Sequence, residues 1–279
     1  MLESGKTLEF NDIVKKVCAT NENCLILLRN GSMFIYNFIE AQLEPLNILP
    51  SVDETVIDIS CTFDSNFTIT NTNSLYKNSS KIHQFSKQQN IKKLVSGAEH
   101  SLVLTSNGDI LSWGCGLRGQ LGHGDINSIE IPIVIEALAG IKIIDIGAGG
   151  FHSTAVSAFG DLYCWGWNTN GQLGITKVTK LTFHNLPTNN QVVFTLPQIV
   201  DIESNNDQES VKTVHCGHKH TLILTESKKL FCSGLNNFGQ LGMQKDEIVH
   251  ETCKFKLLKK AIDVNTKLVC GYWNTFLIN

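Results

Sequence analysis

The densest run of chemically capable side chains is His215-Cys-Gly-His-Lys-His220. Alternation along a β-strand would turn Cys216, His218 and His220 to one face. Thiolate and imidazole suit zinc, but a closed zinc site draws a second, distant pair of ligands, and none stands out. Histidine also recurs at His100, His152 and His220, where a single copy would read as a general base. A base is needed once, whereas a hydrogen-bonding staple is needed in every repeat, so these histidines read as structural. Gly147-Ala-Gly-Gly150 has the glycine density of a phosphate loop but lacks Gly-Lys-Ser/Thr and a following helix. There is no Gly-x-Ser-x-Gly and no His-Glu-x-x-His. Asp109 and Asp161 recur at equivalent turns, which marks them as structural. The residues therefore assign no catalytic group, no metal and no cofactor, and an enzyme is not expected.

The nine cysteines follow the same logic. Cys61, Cys216 and Cys270 share one repeat position with Ser96 and Ala148, and Cys164 and Cys232 share another with Ser112. Such positions want a small core residue. The count is odd and Cys-x-x-Cys is absent, so a reduced, intracellular protein is expected. The chain has 279 residues, 42% hydrophobic and 18% charged, which suits a real core and excludes a mainly disordered chain. A net charge of −3 provides no global basic field for nucleic acid, and the Lys-Lys pairs are scattered. No apolar run reaches the ~18 residues of a membrane span, and the N-terminus lacks an apolar signal core, so neither insertion nor secretion is expected.

The elements that must position these residues are repeats. Residues 97–122 align without a gap on 149–174 at eleven identities: Gly97, His100, Ser101, Gly108, Asp109, Trp113, Gly114, Gly119, Gln120, Leu121 and Gly122 fall on Gly149, His152, Ser153, Gly160, Asp161, Trp165, Gly166, Gly171, Gln172, Leu173 and Gly174. Residues 217–242 repeat the phrase, with Ser233 for the Trp and Lys228 for a Gly. Degenerate copies lie at both ends, so the anchor reads Asn23, Ser65, His100, His152, His220 and Asn274. Each copy is a β-hairpin, such as Leu102–Thr105, a turn at 106–109, and Ile110–Trp113. Further apolar segments, such as 131–135 and 141–146, bring each unit to about four strands, the size of a propeller blade. The Leu of Gly-Gln-Leu-Gly is expected to plug the space between blades, and the Trp to bury a large area.

The phrase Gly-x-x-His, strand, Gly-x-Leu, Trp-Gly-x-x-x-x-Gly-Gln-Leu-Gly resembles the regulator of chromosome condensation repeat, strongly over residues 94–175 and weakly over 1–80. That resemblance implies an all-β, closed β-propeller, usually seven-bladed. Six anchors predict six blades, with seven as the alternative. The last copy is half a hairpin, and Thr7–Phe10 is expected to pair with Asn274–Ile278, closing the ring with N- and C-terminal strands. The whole of 1–279 is read as one domain, with 175–213 as a long polar insertion loop.

Within the family, Gly119-Gln-Leu-Gly-His-Gly124, Trp165-Gly-Trp-Asn168 and Cys270-Gly-Tyr-Trp-Asn-Thr275 are most similar to members that partner a JmjC-domain 2-oxoglutarate oxygenase. The resemblance implies a non-enzymatic interaction scaffold, nuclear and chromosome-associated with a cytoplasmic pool left open, and linked to histone methylation control and chromosome segregation. Chromatin or histones would be met indirectly. The alternative it implies is a guanine-nucleotide exchange factor for a Ran-like GTPase, although no exchange wedge is recognisable. Partner-binding residues are sought where the repeats vary, between Trp-Gly and Gly-Gln-Leu-Gly: Leu117 and Arg118, then Trp167, Asn168 and Asn170, then Asn236, Asn237 and Phe238. Arg, Trp and Phe there have the composition of binding anchors.

Overall fold

The computed structural model describes residues 7–20, 22–47, 53–175, 193–204, 207–243, 251–259, 261–263 and 266–278. The chain, expected as one domain, divides into two compact units: Met1–Val95 with Thr105–Asn107, and Ser96–Leu104 with Gly108–Asn279.

In the first unit, β1 (Val14–Ala19), β2 (Asn23–Leu28), β3 (Met33–Asn37) and β4 (Gln42–Pro45) form an antiparallel sheet in chain order. β5 (Val56–Cys61), β6 (Asn66–Thr70), β7 (Ser74–Lys77) and β8 (Ser80–Gln84) form a second, and β9 (Ile91–Ser96) follows, belonging to this unit through Val95. The core lies between sheets. Leu25, Leu27 and Met33 of the first pack on Val56 and Ile59 of the second.

In the second unit, β10 (His100–Thr105), β11 (Ile110–Gly114) and β12 (Ile129–Val134) run antiparallel side by side. β13 (Ile143–Ala148), β14 (His152–Ser157), β15 (Leu162–Trp167) and β16 (Val193–Val200) form a four-stranded sheet. A short hairpin, β17 (Glu203–Ser204) and β18 (Asp207–Gln208), precedes a further four-stranded sheet of β19 (Val211–Cys216), β20 (His220–Thr225), β21 (Leu230–Leu235) and β22 (Glu251–Lys259). β23 (Lys267–Cys270) and β24 (Thr275–Ile278) pair as a two-stranded sheet. The one helical turn among the described residues is a 3-10 segment at Glu136–Leu138. Leu173 of one Gly-Gln-Leu-Gly sits in the core between the β13–β16 and β19–β22 sheets, and Leu241 of another sits among Leu222, Ile262 and Leu268. Trp113 and Trp165 are buried.

The hairpin turn after the anchor strand is the same in both units. The amide of Gly31 donates to Leu28 O, Asn73 to Thr70 O, Gly160 to Ser157 O and Lys228 to Thr225 O. This residue takes a left-handed φ, +90° at Gly31 and +88° at Gly160, and also +61° at Asn73 and +62° at Lys228. The geometry survives without glycine at a modest conformational cost, and so the repeats degenerate in sequence but not in shape.

Two expectations need correction. Thr7–Phe10 is not a strand; Phe10 instead packs its ring 5.3 Å from that of Phe34 in the first unit, and β24 pairs with β23. The 175–213 stretch is not a loop throughout. Val193–Val200 is an outer strand whose Pro197 is tolerated at a sheet edge, Ile202 is buried, and Glu209 is paired with Lys229 and Ser227. Residues 176–192 lie outside the described residues.

Candidate functional site

The repeated histidines open β10, β14 and β20 and are fully buried. Each reaches the hydroxyl that follows the next anchor. His100 Nε2 is 2.7 Å from Ser153 Oγ, His152 Nε2 2.8 Å from Thr221 Oγ1, and His220 Nε2 3.2 Å from Thr275 Oγ1. Ser153 donates its one proton to Gln120 O and Thr221 donates its own to Gln172 O. His100 and His152 must therefore be the donors, as neutral Nε2–H tautomers. Trp165 Nε1 also donates to Gln120 O, at 2.9 Å. Burial pushes His100 and His152 down to about 3 and His220 to about 4, so all three are neutral at ordinary pH. Their Nδ1 atoms are buried without a partner, which leaves a proton there nothing to bind.

The spacing Gly-x-x-His acquires a reason. A Cβ at Gly149 would lie 2.0 Å from His152 Cε1, and one at Gly217 would lie 1.9 Å from His220 Cε1. The imidazole occupies the space that any side chain there would need. Beside this ladder runs a second one of backbone bonds: Ala98 N to Gly150 O, Gly150 N to His218 O and His218 N to Tyr272 O.

His215–His220 does not gather its side chains on a common point. His220 belongs to the ladder, Cys216 Sγ lies 3.4 Å from Thr154 Oγ1, and His218 stacks on Tyr272 at 3.9 Å. Among the described residues, no group of three or more His, Cys, Asp or Glu is placed to hold a metal ion.

The Trp-Gly-x-x-x-x-Gly turns present the residues singled out from the sequence. The Gln of each turn accepts from its backbone: Arg118 N to Gln120 Oε1, Asn170 N to Gln172 Oε1, Phe238 N to Gln240 Oε1. Asn168 is buried, and its Oδ1 accepts from Leu173 N; Asn236 Oδ1 accepts from Leu241 N in the same way. These two asparagines brace the turns from within. Leu117 and Phe238 are 64% and 70% exposed, Asn237 is exposed, and Arg118 and Trp167 are half-buried. The Arg118 guanidinium lies 4.5 Å from the Trp167 ring centroid and Lys219 Nζ 5.4 Å from it, both within cation–π range.

A second row of residues adjoins these, from the segments just before each anchor. Phe151 packs edge-on to Trp167 at 5.6 Å and to His218 at 5.7 Å. Trp273 contacts His218, Tyr272 and Phe238 at 5.1, 4.9 and 5.3 Å. An aromatic stripe thus runs from Trp167 to Phe238. Burial, then the Lys219 charge and the neighbouring His220 ring, pushes His218 down to about 4; burial and the charge of Glu99 raise Tyr272. The sequence reading missed this row. Its signal was variability at two adjacent repeat positions, Ala98-Glu99, Gly150-Phe151, His218-Lys219 and Tyr272-Trp273.

Profiles of the Regulator of chromosome condensation (RCC1) repeat match residues 107–156 and 160–224, and a second profile of the same repeat matches 91–120, 143–172 and 211–240. Together they cover more than half of the chain, which belongs to the RCC1 repeat family. RCC1 domain-containing protein 1 of Homo sapiens is 32% identical over 212 residues, 67% of this chain and 55% of the relative. Its Mus musculus counterpart is 30% identical over 211 residues, again 67% and 55%. The chain spans about half the length of these relatives. Among solved structures, human WBSCR16 superposes with a TM-score of 0.75 at 18% identity, over 94% of this chain and 72% of that one. Prp20p of Saccharomyces cerevisiae, described with its binding to Gsp1p and histones, gives 0.72 at 17%, over 95% and 67%. At these identities the likeness is one of fold: antiparallel four-stranded sheets of the RCC1 β-propeller kind.

Proposed function

We propose that the chain is a non-enzymatic interaction scaffold, a propeller of six repeats that presents its variable turns to a protein partner. The observation that carries this reading is the Arg118–Trp167 pair, continued by Phe151, Tyr272, Trp273 and exposed Phe238 on turns whose backbones are fixed by buried Gln, Gly and His. Trp, Tyr and Arg on a rigid frame are the composition of interface hot spots. The partner is a JmjC-domain 2-oxoglutarate oxygenase acting near chromatin, in the nucleus. Similarity to RCC1 domain-containing protein 1 covers two thirds of the chain, and the partner itself rests on the resemblance of the repeat phrases. Chromatin is reached through that partner, with no direct role for nucleic acid.

The test is calorimetric titration of the full chain with a recombinant JmjC-domain oxygenase. Arg118→Ala and Phe238→Ala are each expected to weaken binding by about 2 kcal/mol. Wild-type affinity in both would reject the face, and no binding by the wild type would reject the partner. The alternative, exchange on a Ran-like GTPase, predicts accelerated nucleotide release from that GTPase, and the scaffold reading predicts none.

A further inference from the structure

The first unit holds a thiol pair that neither the frame nor the loop face requires. Cys18 on β1 and Cys61 at the end of β5 pack on the same cluster of Leu25, Leu27, Met33, Val56 and Ile59. The two thiols lie close enough to perturb each other's titration, Cys18 upward and Cys61 downward. The repeat supplies an independent measure of how close these positions lie. Cys18 faces Leu25 across its hairpin as Gly147 faces Thr154, and Cys61 faces Asn66 as Cys216 faces Thr221. Gly147 and Cys216 are thus the equivalent pair three sheets further along the chain. A Cβ at Gly147 would lie 2.9 Å from Cys216 Sγ. Across a disulfide, one Cβ lies about 3 Å from the far sulfur, as follows from the bond lengths. In one pair of sheets the repeat places glycine opposite the sulfur; in the first pair it places a second cysteine.

We propose that Cys18 and Cys61 form an oxidation site, at which a hydroperoxide converts the two thiols to a disulfide that ties the first sheet to the second. Cys61 is the attacking sulfur. The neighbouring Cys18 thiol and the nearby Lys16 ammonium favour its thiolate against the opposing effect of burial, whereas Cys18 is held protonated. The Cys61 thiolate attacks one peroxide oxygen, the O–O bond breaks, and hydroxide leaves, giving the sulfenic acid. Cys18 then attacks that sulfur and its proton departs with the hydroxyl as water. The balance is two thiols and one hydrogen peroxide to one disulfide and two waters. Both cysteines are half-buried, within reach of a small oxidant, while fully buried Cys164 and Cys232 are not.

The experiment treats the purified full chain with hydrogen peroxide and maps it by tryptic digestion without reduction. Peptide 17–29 carries both Cys18 and Cys24, so the chain is used as Cys24→Ser, with Cys18→Ser or Cys61→Ser added. The expected product is peptide 17–29 joined to 30–77 with the loss of two hydrogens, its yield falling at least tenfold in either added variant. The unfolding temperature should rise by several degrees on oxidation and return with dithiothreitol. If an added variant does not fold, joint loss of alkylation at Cys18 and Cys61 in oxidised wild type decides the matter. A link that vanishes in Cys24→Ser overturns the proposal. So does a chain-to-chain dimer through exposed Cys253 with Cys18 and Cys61 still alkylatable.

Discussion

The two units use one hairpin geometry and fix neighbouring sheets by different chemistry. In the second unit a set of neutral, buried links joins the Asp145 Oδ2–Val214 N bond between sheets: His100 to Ser153, His152 to Thr221, and Trp165 with Ser153 on one carbonyl of Gln120. In the first unit they are ionic and partly solvated. Lys16 Nζ lies 2.6 Å from Asp58 Oδ1 and 2.9 Å from Leu94 O, while Asp58 Oδ2 accepts from Leu94 N. Within the second sheet, Glu54 also gathers Thr72, Ser74 and Tyr76. A buried neutral staple has strict stereochemistry, needing glycine to make room and a hydroxyl at one position. A partly solvated ion pair is less demanding in shape, so the first unit keeps the hairpin geometry with a fainter repeat.

Acid should separate the two units most sharply. The folded pKa of each ladder histidine lies below the ~6.5 of an unfolded one, so the unfolded chain binds more protons as pH falls. The stability these groups contribute is whole above pH ~6.5 and is lost below it, at ~2 kcal/mol each by pH 5. Urea titrations at pH 7.5 and 5 should show the second unit, followed by fluorescence of buried Trp113 and Trp165, losing roughly 8 kcal/mol once His218 is counted with the ladder. The first unit, with His83 its single histidine, should change far less. Equal acid sensitivity would erase the distinction.

Trp165→Ala should cost about 3–5 kcal/mol, since it empties a core position and removes a donor from Gln120 O. His152→Ala should cost about 1–3 kcal/mol by leaving Thr221 short of a donor, and should also flatten the acid response. Glu54→Gln is the small effect, about 1 kcal/mol in thermal unfolding, because the glutamine amide keeps an acceptor oxygen for the hydroxyl donors. A larger loss there than at His152 would invert the comparison.

These contrasts also explain what could be read from the sequence. The second unit was legible because Gly, His, Trp and Gln-Leu sit where only those shapes fit. Gly97-x-x-His100 and its copies repeat a steric demand and so can be counted. The first unit was faint because Asn73 and Lys228 show that even a left-handed turn can do without glycine. Val193–Val200 was hidden by its Pro197 and polar flank, as an outer strand can tolerate both. On the loop face, variability singled out Arg118, Trp167 and Phe238 as candidates, but Asn168 and Asn236 were not separable from them. An asparagine that braces its own turn and one that meets a partner look alike until the carboxamide's acceptance from Leu173 or Leu241 is seen. The row of Phe151, His218, Tyr272 and Trp273 was overlooked because it lies next to the repeated anchor, which drew the attention.

The central claim is a division of labour within the second unit: repeated residues hold the frame and the variable ones on the turns bind. It is tested most directly by measuring oxygenase affinity and melting temperature together for Phe238→Ala and His152→Ala. The account predicts that Phe238→Ala weakens binding about 30-fold, the ~2 kcal/mol of a hot spot, with an unchanged melting temperature. His152→Ala should lower the melting temperature by several degrees and leave the affinity of the folded protein as it was. Unchanged binding in Phe238→Ala, or lost affinity in fully folded His152→Ala, would contradict it.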